Sequence, residues 1–207
     1  MPFIGNKPTA VPLTGDDIQD GTIGIADLSA TGTKDSTTFL RGDNTFATVV
    51  SGLTEADQWR LSANFTSATG EEVITTNWER NDTSGFNYIG TGMTESSGIF
   101  TFPSTGIYWI LFNLNGNKNG DSRYNGALIE TTINNSTYTL ASTNSFLTQQ
   151  TSSAAGHGNA TTKTFFDVTD TANCKVRFKI DTETAIEVMG NSTFNRTYVT
   201  FVRLGDT

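Results

Sequence analysis

The chain has 207 residues, a formal net charge of −8 at pH 7 and only 16% charged residues. That length suits one domain of ordinary size with a shorter appendage, or two small domains, and it can bury a core without covalent staples. The acidic balance opposes nucleic-acid binding, which needs a basic surface for phosphate, and the single cysteine, Cys174, excludes an intrachain disulfide framework and reads as a small buried hydrophobe.

Thr, Ser, Asn and Gly are abundant and Phe alone supplies 14 residues. Thr and aromatics favour a pleated, half-buried surface, and Gly and Asn favour turns. No apolar run reaches the roughly 18 residues of a membrane span. The start, Met1-Pro2-Phe3-Ile4-Gly5-Asn6-Lys7-Pro8, has no apolar h-region. The expectation is a chain without a signal peptide that stays inside the cell that makes it, or leaves by another route such as lysis.

Residues 1–50 hold Pro2, Pro8 and Pro12 and are broken by turns at Thr14-Gly15-Asp16-Asp17, Asp20-Gly21-Thr22 and Ala30-Thr31-Gly32-Thr33. Between them stand single apolar anchors, Ile18, Ile23, Ile25 and Leu28. Such a segment buries too little apolar surface to offset its own ordering entropy, so it is either disordered or held by another surface. It is read as an extended N-terminal anchoring arm. Residues 51–63 are read as a short helical connector. Thr54 is a candidate N-cap with Asp57 three residues on, which predicts a helical turn near 54–61 with Trp59 packed inward.

From residue 64 to 207 the pattern is strand and turn. Gly98 to Pro103 alternates and stops at the proline, and Gly106 to Leu114 is a long apolar run suited to burial on both faces. Asn115 to Gly120 is a turn cluster, and Tyr124–Ile133 and Thr137–Leu140 flank Asn134-Asn135-Ser136 as a hairpin. Lys163 to Val168 is the next strand. Lys175 to Ile180 alternates, with Val176, Phe178 and Ile180 on one face and Lys175, Arg177 and Lys179 on the other. Ala185–Met189 and Thr197–Leu204 complete about eight strands, the count of an antiparallel sandwich or closed jelly roll.

The chemistry of catalysis is thinly represented. His157, the one histidine, reads as an exposed loop residue, and no Gly-x-Ser-x-Gly elbow, Walker A or Gly-x-Gly-x-x-Gly follows a strand. One His and one Cys do not make a zinc set. Asp167, Asp170, Asp181, Glu183 and Glu187 could supply the paired carboxylates of glycoside cleavage only if the fold brings two of them together. The Asn117–Asp121 loop offers oxygens to calcium without an EF-hand pattern. The reading is therefore non-enzymatic, with no metal and no cofactor assigned. Arg41-Gly42-Asp43 reads as a turn, and the Asn-x-Ser/Thr sequons at Asn64, Asn81 and Asn191 follow from composition. Lys175, Arg177 and Lys179 form the one basic stripe, either a solvated sheet face or a site for an anionic partner.

Two resemblances add to this. The run Gly98-Ile-Phe-Thr-Phe-Pro103-Ser-Thr-Gly106-Ile-Tyr108-Trp-Ile resembles the C1q/TNF-like jelly-roll family, with Phe100, Phe102, Gly106 and Tyr108 at its aromatic strand, turn and Gly-x-Tyr positions. Tyr198-Val-Thr-Phe-Val202 is similar to its closing strand without the usual glycine after the aromatic. Ala26 to Thr33, Ser36 to Phe46 and the run Ala56-Asp57-Gln58-Trp59-Arg60-Leu61 resemble linkers and domain entries of tailed-phage virion proteins, notably marine ones. The resemblances imply an all-β antiparallel jelly-roll knob at 64–207, a homotrimer, and a place on the surface of a phage particle. There residues 1–50 would contact other virion proteins, as capsid decoration or head fibre; the alternative is a tail fibre or fibre tip contacting a host surface glycan or receptor. Tyr108, Trp109, Phe112, Phe165 and Phe166 are the candidates for burial in the core or between subunits.

Overall fold

The computed structural model of the chain describes residues 21, 24–48, 52–150 and 153–207. The chain divides into two compact units, Met1–Gly52 and Leu53–Thr207. Pro2, Pro8, Pro12, Ile18, Ile23 and the turns at 14–17 and 20–22, except Gly21, lie outside the described residues. In the first unit a 3-10 turn, Ile25–Asp27, precedes a hairpin of β1 (Thr38–Leu40) and β2 (Phe46–Thr48). The tripeptide Arg41-Gly42-Asp43 is in its turn, closed by Asn44 N–H to Arg41 O at 3.0 Å, with Asn44 at φ 62°. The expectation of isolated anchors missed this hairpin, because each strand is too short to show a period.

The second unit is an all-β sandwich of two antiparallel sheets. Its strands are β3 (Ala56–Leu61), β4 (Phe65–Thr66), β5 (Gly70–Val73), β6 (Trp78–Arg80), β7 (Thr94–Ser96), β8 (Ile99–Thr101), β9 (Gly106–Lys118), β10 (Ser122–Thr132), β11 (Thr139–Thr148), β12 (Gly156–Val168), β13 (Lys175–Thr182), β14 (Glu187–Val188) and β15 (Tyr198–Gly205). One sheet runs β11-β10-β13-β8-β7, with β5 also on β13; the other runs β4-β14-β9-β15-β3-β6, with β12 also on β9. From β8 onward the chain crosses between the sheets at nearly every connection and turns back as a hairpin at β10–β11, the winding of a jelly roll.

Alternation builds the core. On β9, Tyr108, Ile110, Phe112 and Leu114 point inward and are buried, while Ile107, Trp109 and Leu111 between them are half-buried on the outer face. The run is thus buried on one face and partly covered on the other, not buried on both. Val176, Phe178 and Ile180 of β13 face them from the opposite sheet, with Val199 and Phe201 of β15 beside. Phe100 is the hub: its ring centroid lies 5.6 Å from Trp59, 5.4 Å from Trp78, 5.4 Å from Phe178 and 5.4 Å from Phe201. Cys174 is buried and free.

The helical turn expected at 54–61 is a strand, and the connector is part of the sheet. Both edges of β3 are paired, to β15 and to β6, so its backbone groups are satisfied without a helix. The two capping residues are used elsewhere. Thr54 Oγ1 accepts from Arg203 Nη1 at 3.2 Å, and Asp57 accepts the Met93 N–H at 2.8 Å. Trp59 does pack inward, on Phe100. His157 likewise is on a strand rather than in a loop, because β12 pairs with β9 back to Gly156 opposite Lys118.

Candidate interaction surface

The outer face of the β9 sheet carries a continuous apolar row. Register places Phe165 of β12 beside Trp109 of β9, Trp109 beside Val202 of β15, and Val202 beside Ala56 of β3. Ala56 then bridges to Ile89 in the loop after β6. At about 4.8 Å per strand the row spans roughly 19 Å. Its two ends are its most exposed members, Phe165 at 68% and Ile89 at 47%. Ile107 and the exposed Leu204 extend it on one side. On the other side Lys163, Leu111, Thr200 and Gln58 form the next row, and Asn113 and Thr161 begin a polar zone, with Thr161 Oγ1 donating to Asn113 Oδ1 at 2.7 Å.

The end at Ile89 is held by carboxylates. Ile89 N–H donates to Ala56 O at 2.8 Å and Ala56 N–H returns to Ile89 O at 3.1 Å. The Glu55 carboxylate accepts from the N–H groups of Thr91 (2.9 Å) and Gly92 (3.0 Å). Asp57 Oδ2 accepts from Trp59 Nε1 (2.9 Å), Arg80 Nε (3.2 Å) and Met93 N–H (2.8 Å), with its side chain only 1% exposed. The Arg80 guanidinium lies between the rings of Trp59 (5.0 Å) and Tyr88 (4.5 Å). Gly90 sits at φ +79°, where a Cβ would fall 2.3 Å from Thr54 O, so the loop can hug β3 only with glycine there. A groove of about 230 Å³ results, lined by Ala56, Asp57, Gln58, Asn87, Ile89 and Thr200. At the far end a cleft of about 310 Å³ is lined by Trp109, Lys163, Thr164 and Phe165.

The five aromatic candidates therefore divide. Tyr108 and Phe112 are core, and Phe166 is half-buried against the core, 5.6 Å from Phe102. Trp109 and Phe165 belong to the outer row. The alternation of β12 separates Phe165 from Phe166, but which of the two faces inward depends on β9, which sequence periodicity alone does not contain. Glu55, Arg80 and Ile89 were not singled out from sequence, and Asp57 was read only as a helix-capping residue. The one available signal was a pair of carboxylates two apart, which on a strand must share a face.

The basic stripe is not solvated. Lys175 and Lys179 are buried and Arg177 is half-buried. Arg177 Nε bonds Glu130 at 2.6 Å, Lys179 Nζ bonds Glu130 at 3.0 Å and also Glu71, and Lys175 Nζ donates to Thr171 O at 2.6 Å. The Arg177 guanidinium also lies 4.1 Å from the Tyr138 ring centroid. The anions that this stripe meets are in its own chain. Lys179 is held protonated above its ordinary range: burial works against its charge, but the carboxylates of Glu71 and Glu130 outweigh it.

Three of the acidic residues considered for glycoside cleavage serve turns and edges. Asp170 is pushed below the usual carboxylate range by the Ala172 N–H and the Asn173 amide, Glu183 by the Arg123 N–H and side chain, and Glu187 by the amides of Asn117 and Asn64. A general acid needs the opposite shift. In the Asn117–Asp121 loop, Asp121 accepts the Gln150 N–H at 2.6 Å and Asn119 accepts the Gln150 amide at 3.1 Å. No group of three or more His, Cys, Asp or Glu that could hold a metal is found among the described residues.

No family model matches the sequence, and no curated protein matches it. Among solved structures the chain is similar to Eiger, a TNF from S. frugiperda, with a TM-score of 0.58 and 10% identity over 75% of this chain and 96% of that one. It is also similar to murine APRIL at pH 5.0, with a TM-score of 0.50 and 11% identity over 72% of this chain and 98% of that one. At such identities the likeness is one of fold: a TNF-like jelly roll.

Proposed function

We propose that the chain is a non-enzymatic virion protein of a bacteriophage, a homotrimeric jelly-roll knob fixed to the particle through residues 1–50 as capsid decoration or head fibre. The observation that carries the self-association is the apolar row from Phe165 to Ile89, exposed at both ends on the outer face of one sheet. Scattered exposed apolar residues are ordinary, whereas a connected line of them across five chain segments marks an interface. The TNF-like fold supports the trimer. The phage setting rests on the likeness of residues 26–33 and 36–46 to tailed-phage linkers and of residues 56–61 to the entry of a phage virion domain.

The same linker likeness favours a second reading, a tail fibre or fibre tip that contacts a host surface glycan or receptor. Quantitative mass spectrometry of purified particles separates the two. Hundreds of copies per particle are expected for decoration; a few tens or fewer support the tail fibre, and absence from the particle removes both. The trimer is tested separately, by sedimentation velocity of the full chain.

A further inference from the structure

Three Asn-Gly pairs stand close together in the chain, Asn115-Gly116, Asn119-Gly120 and Asn125-Gly126. Chemically they are alike, since glycine has no Cβ to shield its amide nitrogen from the asparagine side chain before it. The fold treats them differently. Gly116 is on β9 and pairs on both sides, with Gly158 of β12 and Val188 of β14. Gly126 is on β10 and pairs with Ser145 of β11 and Asp181 of β13, and Asn125 is fully buried. Asn119 and Gly120 fall between the strands, in the β9–β10 turn, with Asn119 exposed. A Cβ at Gly120 would meet nothing nearer than Lys118 Cε at 3.6 Å, and its N–H has no hydrogen-bond partner among the described residues. Asn119 Oδ1 accepts from Gln150 Nε2 at 3.1 Å and Asp121 Oδ1 accepts the Gln150 N–H at 2.6 Å, so the turn holds the segment after β11 by two bonds.

We infer that Asn119-Gly120 is a site of spontaneous covalent modification, in which a succinimide forms and opens to aspartate and isoaspartate. The Gly120 N–H gives its proton to hydroxide, and the nitrogen attacks Asn119 Cγ. The new bond closes a five-membered ring; the bond from Cγ to Nδ2 breaks, and Nδ2 takes up a proton and leaves as ammonia. Water then adds to one of the two ring carbonyls. Opening at Cγ gives aspartate, and opening at the Asn119 backbone carbonyl gives isoaspartate, with the chain rerouted through Cβ and Cγ. The sum is one water taken up and one ammonia released, with nothing oxidised or reduced. Negative charge gathers on Oδ1 as Cγ becomes tetrahedral, and the Gln150 amide already donates to that atom. Closing the ring requires the asparagine ψ to leave the extended range, which ladders on both sides forbid at Asn115 and Asn125. The product adds a negative charge two residues from Asp121. Isoaspartate also lengthens the backbone, so the two bonds to Gln150 no longer fit together and the segment after β11 is released. Each copy thus changes charge and contacts at this turn with its age.

Trypsin cleaves after Lys118 and Arg123, so one digest places the three pairs in separate peptides, 81–118, 119–123 and 124–163. The full chain is aged for days in mildly alkaline buffer at physiological temperature, folded and in urea. It is then digested briefly and measured by mass spectrometry, with fragmentation to locate the change. In the folded chain Asn119 is expected to exchange its amide for a carboxyl on the order of tenfold faster than Asn115 or Asn125, which react only from opened states. In urea the three should convert at similar rates, and isoaspartate methyltransferase should label the folded product. Gln150→Leu should slow the folded reaction several-fold and leave the urea rate unchanged; an equal or faster folded reaction would overturn the role given to Gln150. Equal rates at the three sites in the folded chain, or no conversion of Asn119 there while the urea sample converts, would overturn the site. The same bias in urea would overturn selection by the fold, and aspartate alone, without label, would overturn the ring route.

Discussion

Replacing Phe165 with aspartate should dissolve the assembly while sparing the fold. The ring is 68% exposed in the single chain. A phenylalanine offers roughly 200 Å² for burial, so about 140 Å² of this ring is free to enter a contact. At about 25 cal/mol per Å² its burial stabilises each contact by about 3.5 kcal/mol, or roughly two and a half decades in the association constant. Phe165→Asp removes that and places a carboxylate in the contact, which adds a desolvation cost. Sedimentation velocity over a range from low to high micromolar should show wild type at three times the chain mass and the variant at the chain mass. Circular dichroism should show the same strand content in both, because the ring makes no core contact. A variant that stays trimeric at low micromolar concentration would refute the assignment of this face.

Four further outcomes are expected. Asp57→Asn removes the charge that binds Trp59 Nε1, Arg80 and the Met93 N–H; with Arg80 partly open to water, the loss should be about 2–3 kcal/mol by urea denaturation, with faster hydrogen exchange at Met93. An effect under about 0.5 kcal/mol would show that the pin is unimportant. Gly98→Ala should cost about 2–4 kcal/mol, since Ser97 (φ 53°) and Gly98 (φ 83°) form the tight β7–β8 turn and a Cβ there would stand 2.4 Å from Ile74 O. Lys179 has a folded pKa above its ordinary 10.5, so its stabilisation is full below that value and is lost as pH rises through the folded pKa. Glu130→Gln should lower stability at pH 7 and flatten the alkaline loss, read by thermal melts from pH 8 to 12. Deleting residues 1–52 should leave the knob's melting temperature unchanged and abolish incorporation into particles, measured by co-purification.

Between Gly98 and Leu204 the strands with one buried face were legible because they write their period into the sequence, as in Val176-Arg177-Phe178-Lys179-Ile180, whereas Asn115–Lys118 of β9, Ala141–Thr148 of β11 and Gly156–Thr162 of β12 were not read as strand. The failures have a common cause in partners distant along the chain. Thr54 and Asp57 have the chemistry of a helix cap, and only the pairing of β3 with both β15 and β6 turns them to other uses. The basic stripe reads as solvated because Glu130 and Glu71, which neutralise it, lie far upstream. In the surface row, Trp109 and Phe165 were visible as excess aromatics. Ala56 and Ile89 were not, since neither is conspicuous until the register aligns them.

The position of β15 has a consequence for timing. It is the last strand of the chain, yet it lies between β9 and β3 and supplies the middle of the apolar row through Val202. A ribosome-bound chain lacking Tyr198–Gly205 would have two separated half-faces, one with Phe165 and one with Ile89. On the self-association reading the row is complete only once β15 has been made, and a chain that stops short of β15 lacks the surface through which it could enter an assembly.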